Sequence, residues 1–390
     1  MNNKLESDFE SESSDELIDN ISNIDLKNSV LKNYNILYEL GKGSYSTVWL
    51  VYNIFKKKFY AMKVQSSDYF QTGLDEIKFV QKLPKEPSIF NNLIEYFIVN
   101  LNNKKYLCSI WNLHCCNLDT ILRKCNFTNG LPLITVKKIM KQLITALMIL
   151  HKKFKVYHGD IKTDNILVKG INNRDKFISD LYINLLSSYQ DNLNNRSDNH
   201  NKIMSVLCES LNKYENANLL DNNYIDNITI SLADFGTYCH ENYCYSGTFG
   251  TRYYQAPEII LLGKCSYEVD IWALGCTFYE LLSGQILFNP IKDSNYSRDY
   301  YHLCLINQTC GIFPYKFIRN TKRYSEFFLS NKLKYYNNDD TGRLLRKIDS
   351  INISDVDKQS VFEILSAILQ INPKKRCSLD WLNEHKFFIL

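Results

Sequence analysis

Apolar positions along the chain follow two rhythms. In KKFYAMKVQ, Tyr60, Met62 and Val64 fall on one face and Phe59, Ala61 and Lys63 on the other, the period-two spacing of a strand. Leu74, Ile77, Val80 and Leu83 then recur every third residue, which predicts a helix inside an otherwise strand-rich stretch running from Tyr34 to about residue 110. Beyond residue 115 the rhythm turns helical. Val136, Ile139, Leu143, Leu147 and Leu150 form one stripe, and EVDIWALGCTFYELL (268–282) is apolar nearly all round, the pattern of a buried helix. A small strand-rich half followed by a larger helical half predicts an α+β chain of two lobes with a cleft between them.

Two stretches break the rhythm. Residues 171–227 are rich in Asn, Asp and Ser with short apolar runs such as FISDLYINLL, which reads as an insertion. Residues 1–33 read as a disordered acidic, serine-rich tail, with order starting near Tyr34. Residues 1–20 hold seven acids and one base, a net of −6, so the formal +4 of the 390-residue chain leaves +10 on the rest. That charge is too diffuse to argue for nucleic acid. The opening residues lack the apolar core of a secretory signal, and no run approaches the roughly 18–20 apolar residues that span a bilayer. The expectation is a protein of the cytoplasm or nucleus, those of a host cell if the chain is viral, with no membrane partner. The 12 cysteines contain no CxxC pair and read as small core residues.

The candidate chemistry is phosphoryl transfer, which needs a cradle for the triphosphate, metal ligands and a group that orients the attacking hydroxyl. LGKGSYSTV (Leu40, Gly41, Lys42, Gly43, Ser44, Tyr45, Ser46, Thr47, Val48) supplies the cradle, because Gly41 and Gly43 let backbone amides approach phosphate oxygens. A glycine pair alone also suits a plain hairpin turn. A strand lysine is ordinarily solvated, but Glu76 on the next helix gives Lys63 a partner that holds it against the α- and β-phosphates. YHGDIKTDNIL (157–167) is the strongest signal. Asp160 accepts the proton of the substrate hydroxyl, Lys162 reaches the γ-phosphate, and Asn165 binds a metal ion. Asp234, in LADFG (232–236), is the main Mg²⁺ ligand, a carboxylate to set beside one amide and the oxygens of ATP.

The series GKGSYSTV, AMK, HGDIKTDN, DFG, GTRYYQAPE and DIWALG resembles the eukaryotic protein-kinase superfamily. Within it the chain looks most like the CMGC group and the SR-protein kinases, through YSTVWLVYN, LDEIK, GLPLITVKKIMKQL, NYSRDYYHL and the position of the long insertion. The resemblance implies a bilobal protein-kinase fold over 34–388, with an N-lobe at 34–114 and a C-lobe at 115–388 that carries the 171–227 insertion. It implies ATP and Mg²⁺, a monomer, and serine or threonine in proteins as the acceptor. It places the hinge at Asn112, Leu113 and His114, with Leu113 against the adenine, and Trp111 at the gatekeeper position. It pairs Glu258 with Arg376, sets Asp270 to hold the catalytic loop, and takes Lys162 and Thr251 as marks of the serine/threonine branch.

The chain departs from the family pattern at several places. Gly159 replaces the arginine that receives an activation-loop phosphate in many kinases, which predicts activity without loop phosphorylation. Gln255 replaces a CMGC arginine and argues against proline-directed specificity. Only Asp293 and Asp299 remain acidic in NPIKDSNYSRDYYHL, where SR-protein kinases dock arginine-rich substrates, so Arg/Ser-rich partners are an inheritance from the family. Ser46 replaces a glycine, as in SR-protein kinases. Two other readings stand beside an active protein kinase: a pseudokinase scaffold, opposed by the presence of Lys63, Asp160, Asn165 and Asp234, and a small-molecule kinase, opposed by GTRYYQAPE.

Overall fold

The computed structural model describes residues 25–389 apart from 44, 87–88, 102, 126, 170–179, 182–183, 186–201, 207–208, 211–212, 214–224, 226, 242–246, 292–295 and 336–342. Most of the acidic tail and of the 171–227 insertion therefore lies outside the described residues. The described residues form two compact units, those within 25–83, 92–113 and 180–213, and those within 84–91, 114–169 and 225–389.

The first unit is built on an antiparallel sheet of six strands, β1 (Val30–Leu31), β2 (Tyr34–Lys42), β3 (Ser46–Asn53), β4 (Lys58–Gln65), β5 (Leu93–Leu101) and β6 (Lys104–Asn112), in the order β1-β2-β3-β4-β6-β5. The alternation in β4 sorts its side chains. Tyr60, Met62 and Val64 join Tyr34, Ile36, Trp49 and Val51 in one core, while Phe59 joins Leu37, Leu50 and Tyr52 in another. Each such side chain, fully buried, contributes roughly 1.5–3 kcal/mol. Packing starts at Leu26, which is buried in the first core; the Ile36 N–H donates to the Ser29 carbonyl and the Ile36 carbonyl accepts the Asn28 N–H, both at 2.9 Å. Order thus begins before Tyr34, because residues 26–31 add an edge to the sheet. Ile203 and Met204 of the insertion complete the second core, with Leu181 and Leu185 packed against it.

The helix expected from the threefold spacing is α1 (Phe70–Val80). Leu83 falls beyond its end yet is buried. Gly73 lets α1 approach β4, since a Cβ there would sit 2.1 Å from Gln65 Oε1 and 2.8 Å from Leu107 Cδ2.

The second unit is mainly helical. The Val136–Leu147 stripe lies on α3 (Leu133–Met148), which follows α2 (Leu118–Lys124). Short strands frame the loops that carry the chemistry: β7 (Cys116–Asn117), β8 (Val156–Tyr157), β9 (Ile166–Val168), β10 (Ile230–Leu232) and β11 (Cys239–His240). β9 pairs with both β7 and β10, and β8 pairs with β11. Then come α4 (Pro257–Ile260) and α5 (Glu268–Ser283), whose residues 269–282 are all buried, as its apolar surround predicts. Gly275 admits the next helix contact: a Cβ there would meet Ile368 Cγ2 at 2.4 Å. α6 (Arg298–Cys310) and α7 (Asp355–Ile368) complete the elements used below.

Candidate active site

In the first unit, β2 and β3 form the hairpin that carries the glycines. Gly43 N donates to the Ser46 carbonyl at 2.9 Å and closes the turn. A side chain at Gly41 would meet nothing within 4 Å, so this edge is open to a ligand. Leu40, Lys42, Gly43 and Tyr45 are exposed, Ser46, Thr47 and Val48 half-buried, and Ser44 lies outside the described residues. Lys63 Nζ meets Glu76 Oε2 at 2.8 Å with the side chains 13% and 3% exposed, so the pairing expected from the sequence is formed. Such a pair holds a cation in place, and removing one partner would strand a buried charge. Trp111 is buried in β6 and its Nε1–H donates to Ser109 Oγ at 2.9 Å. Leu113 packs against the second core.

In the second unit, Asp160 follows β8 at the head of a tight network. Its Oδ1 accepts the Thr251 N–H at 2.7 Å, and its Oδ2 accepts from Asn165 Nδ2 at 3.0 Å. Asn165 Nδ2 also donates to the Asp160 carbonyl at 2.8 Å. Lys162 Nζ stands 3.1 Å from Asp160 Oδ2 and donates to Thr251 Oγ1 at 2.5 Å. One carboxylate, one ammonium and one hydroxyl, those of Asp160, Lys162 and Thr251, thus converge.

Asp270 of α5 holds this loop from below. Its Oδ2 accepts the His158 N–H at 2.8 Å and its Oδ1 the Gly159 N–H at 2.9 Å, with His151 Nε2 2.8 Å from Oδ2. Burial by itself would raise the Asp270 carboxyl, but His151, His158 and the Gly159 amide outweigh it and hold it below the ordinary carboxylate range. His158 Nδ1 accepts the Asp160 N–H at 3.2 Å, which leaves Nε2 as the N–H facing the Ala233 carbonyl at 3.1 Å. Gly159 has φ 81°, and a Cβ on it would lie 2.8 Å from the Thr237 carbonyl oxygen. Here glycine suits the local backbone.

Asp234 follows β10 with φ 62°. That turn leaves Asp234 exposed and buries Phe235, whose ring lies 4.9 Å from His158 and 6.0 Å from Phe90. Because Asn165 uses its Nδ2 on Asp160, its Oδ1 remains an oxygen donor for a hard cation. Asp234 and Asn165 both carry side-chain oxygens of the hard kind that Mg²⁺ selects. Among the described residues no cluster of three or more His, Cys, Asp or Glu offers an all-protein metal site.

The segment after Thr251 is anchored repeatedly. Arg376 forks onto Glu258 at 2.6 and 2.7 Å with both side chains almost wholly buried, as the sequence expects. Tyr254 OH donates to Glu280 Oε2 at 2.5 Å, and Gln255 Nε2 donates to the Phe249 and Gly250 carbonyls at 3.0 and 3.2 Å. Burial raises the Glu280 carboxyl even against Tyr254 and Arg123. Asp299, one of the two acids in NPIKDSNYSRDYYHL, is paired inside the protein with Arg252 and Arg323. Asp293 lies outside the described residues. Sequence reasoning missed Gly73, Ser109 and the Arg252–Asp299–Arg323 cluster; only Gly73 carried a signal, as a glycine inside a helical pattern.

A sheet unit with a Lys–Glu pair and a helical unit with an Asp–Lys–Asn loop define a phosphotransferase of the kinase type. The comparisons agree. The protein kinase domain family matches residues 34–183 and 213–388, and the chain belongs to that family. It is 29% identical to the serine/threonine-protein kinase SRPK of Physarum polycephalum, over 91% of this chain and 85% of that protein. It is 27% identical to a protein of Acanthamoeba polyphaga mimivirus assigned as a serine/threonine-protein kinase, over 90% of this chain and 86% of the other. The protein kinase dsk1 of Schizosaccharomyces pombe is 24% identical over 90% and 80%. The fold is the bilobal kinase fold, and the activity is that of a serine/threonine protein kinase of the SR-protein-kinase-like, CMGC type.

Proposed function

We propose that the chain transfers the γ-phosphoryl group of ATP to serine or threonine hydroxyls of protein substrates, with Asp160 as the catalytic base. The observation that carries this reading is the fixed Asp160 carboxylate, held by the Thr251 N–H and the Asn165 amide with the Lys162 ammonium beside it. The substrate hydroxyl attacks the γ-phosphorus as the bond to the β-phosphate oxygen breaks. Its proton passes to Asp160, and ADP leaves. Lys162 offsets charge developing on the transferred group, and Lys63, oriented by Glu76, binds the α- and β-phosphates over the backbone of Gly41 and Gly43. Leu113 lies against the adenine. Asp234 and Asn165 would hold Mg²⁺, which when bound would neutralise charge on the phosphates.

The SR-protein-kinase relatives support Arg/Ser-rich proteins as substrates. No described helix is long and apolar enough to cross a membrane, which supports action in the cytoplasm or nucleus of the cell, a host cell if the chain is viral. We read the chain as a monomer that does not bind nucleic acid. The test is phosphate transfer from Mg·ATP to a positional-scanning peptide library, comparing the parent with Asp160→Ala. Transfer to serine or threonine by the parent and its loss in the variant support the reading. Nucleotide binding without transfer in both would make the chain a pseudokinase scaffold instead.

A further inference from the structure

Thr251 donates its N–H to Asp160 and its hydroxyl oxygen accepts from Lys162, so the backbone at 251 sets where both groups point. The next residue, Arg252, reaches away from the site to a carboxylate 47 positions further along the chain. That carboxylate is Asp299, in the first turn of α6, where the helix N-terminus also favours a negative charge. Asp299 Oδ1 accepts from Arg252 Nη1, and Oδ2 accepts from Arg323 Nη1 at 2.6 Å. Asp299 is thus the shared anion between two guanidinium groups.

Arg323 is itself immobilised. Nη1 also donates to the Ile260 carbonyl at 3.0 Å, the end of α4, and the backbone N–H donates to Leu261 at 3.2 Å. Nε and Nη2 fork onto Glu326 at 2.7 and 2.6 Å. Its guanidinium also stacks over Phe327, 4.6 Å from the ring centre. The Asp299 side chain is 19% exposed and that of Arg252 36%. Burial alone would raise the Asp299 carboxyl, but hydrogen bonds from Arg323 and Arg252 outweigh it and hold it below the ordinary carboxylate range. The cluster is therefore a fixed post, Arg323 with Asp299, to which the part-exposed Arg252 is tied.

We propose that Asp299 is a positioning residue for phosphoryl transfer, acting through Arg252 to hold the Thr251 backbone and so the Asp160 carboxylate. Removing its charge leaves Arg252 and Arg323 as like charges around a neutral amide. Arg252 then swings outward and carries Thr251, one peptide bond away, off Asp160. Misplacement of a catalytic group by about 1 Å costs on the order of 100-fold in rate. Ground-state nucleotide binding is untouched, because none of the residues placed on ATP belongs to the cluster.

This inference rests on the proposed roles of Asp160 and Lys162, and the experiment separates the two. Steady-state rates with Mg·ATP and a degenerate serine peptide library are measured for the parent, Asp160→Ala, Asp299→Asn, Asp299→Glu, Arg252→Met and the Arg252→Met/Asp299→Asn double variant, with melting temperature alongside. Asp299→Asn is expected to lower kcat by about 10- to 100-fold, with KM for ATP within about twofold. Asp299→Glu recovers most of the rate. Arg252→Met, changed at the exposed end of the pair, reproduces the loss, and the double variant is no slower than the worse single one. Full kcat in Arg252→Met overturns the proposal even if Asp299→Asn fails to fold. So does an Asp299→Asn loss that vanishes once rates are corrected for folded enzyme, or one that adds to that of Arg252→Met. Undiminished activity of Asp160→Ala overturns the underlying reading of the site.

Discussion

A single backbone N–H, that of Thr251, fixes one oxygen of Asp160, and a single side-chain amide, that of Asn165, fixes the other. With both oxygens held, the carboxylate has one orientation, which is what a base must have before the hydroxyl arrives. Asp160→Ala is therefore expected to reduce phosphate transfer by about 10²–10⁴-fold, read as initial rate at saturating Mg·ATP, with the melting temperature nearly unchanged. Lys63→Met is a different case, since it strands Glu76. It should cut transfer and also destabilise the first unit by about 3–5 kcal/mol, whereas Lys63→Met/Glu76→Leu should regain most of the stability and none of the activity. Denaturant unfolding beside the rate assay separates the two effects. At Trp111 a bulky side chain is buried and tied to Ser109, so ATP-competitive inhibitors that need space behind the adenine should bind poorly to the parent and at least about tenfold more tightly to Trp111→Ala, by competition binding. At this scale the grouping of Asp160, Lys162 and Asn165 was legible from sequence, because they lie within six residues and their spacing alone brings them together. Arg252, Asp299 and Arg323 were not legible: they are separated by 47 and 24 positions, and no local pattern marks charges that meet only after folding.

At the scale of elements, periodicity predicted what it controls and no more. The alternation of β4, the stripe of α3 and the all-round apolarity of α5 each appear as read, because burial of one face or all faces decides these elements. Close approach between elements was barely marked, since it depends on what is missing, and a glycine inside a helical pattern was its one signal. Gly73 is such a place, and Gly73→Ala should push α1 from β4, lower the melting temperature and weaken ATP binding together, by calorimetry and nucleotide titration. The buried pair between Glu258 on α4 and Arg376 predicts a loss of about 3–5 kcal/mol for Arg376→Ala, measured by denaturant unfolding. On α6, His302 is fully buried with neither ring nitrogen hydrogen-bonded among the described residues, and burial, with Arg252 nearby, pulls its pKa down from 6.5 to about 3. The folded state then refuses a proton that the unfolded chain accepts. Stability is present above the unfolded pKa of 6.5 and falls as the pH drops toward 3, with a slope of up to about 1.4 kcal/mol per pH unit from this group. His302→Leu should show a shallower loss of melting temperature between pH 6.5 and pH 4 than the parent. An identical slope in both would remove His302 from the acid response.

For the whole molecule, the chain is two units, each with its own core, and the described insertion residues from 180 to 213 fall in the first of them. Ile203 and Met204 cover Leu37, Leu50, Tyr52 and Phe59, so a segment read as an irregular insertion supplies part of a core. Its composition concealed this, because two apolar side chains among many asparagines leave no periodic signal. The division of labour follows the same units: the first holds Lys63 against Glu76, and the second assembles Asp160, Lys162, Asn165 and Thr251. The most direct measurement is site-resolved mass spectrometry of a serine-, threonine- and tyrosine-containing peptide library after incubation with Mg·ATP and the purified chain, parent against Asp160→Ala. The account predicts phosphate on serine and threonine, little on tyrosine, and none with the variant. Phosphate on the same serines at the same rate with Asp160→Ala, or no phosphopeptide from a parent that binds ATP, would contradict it.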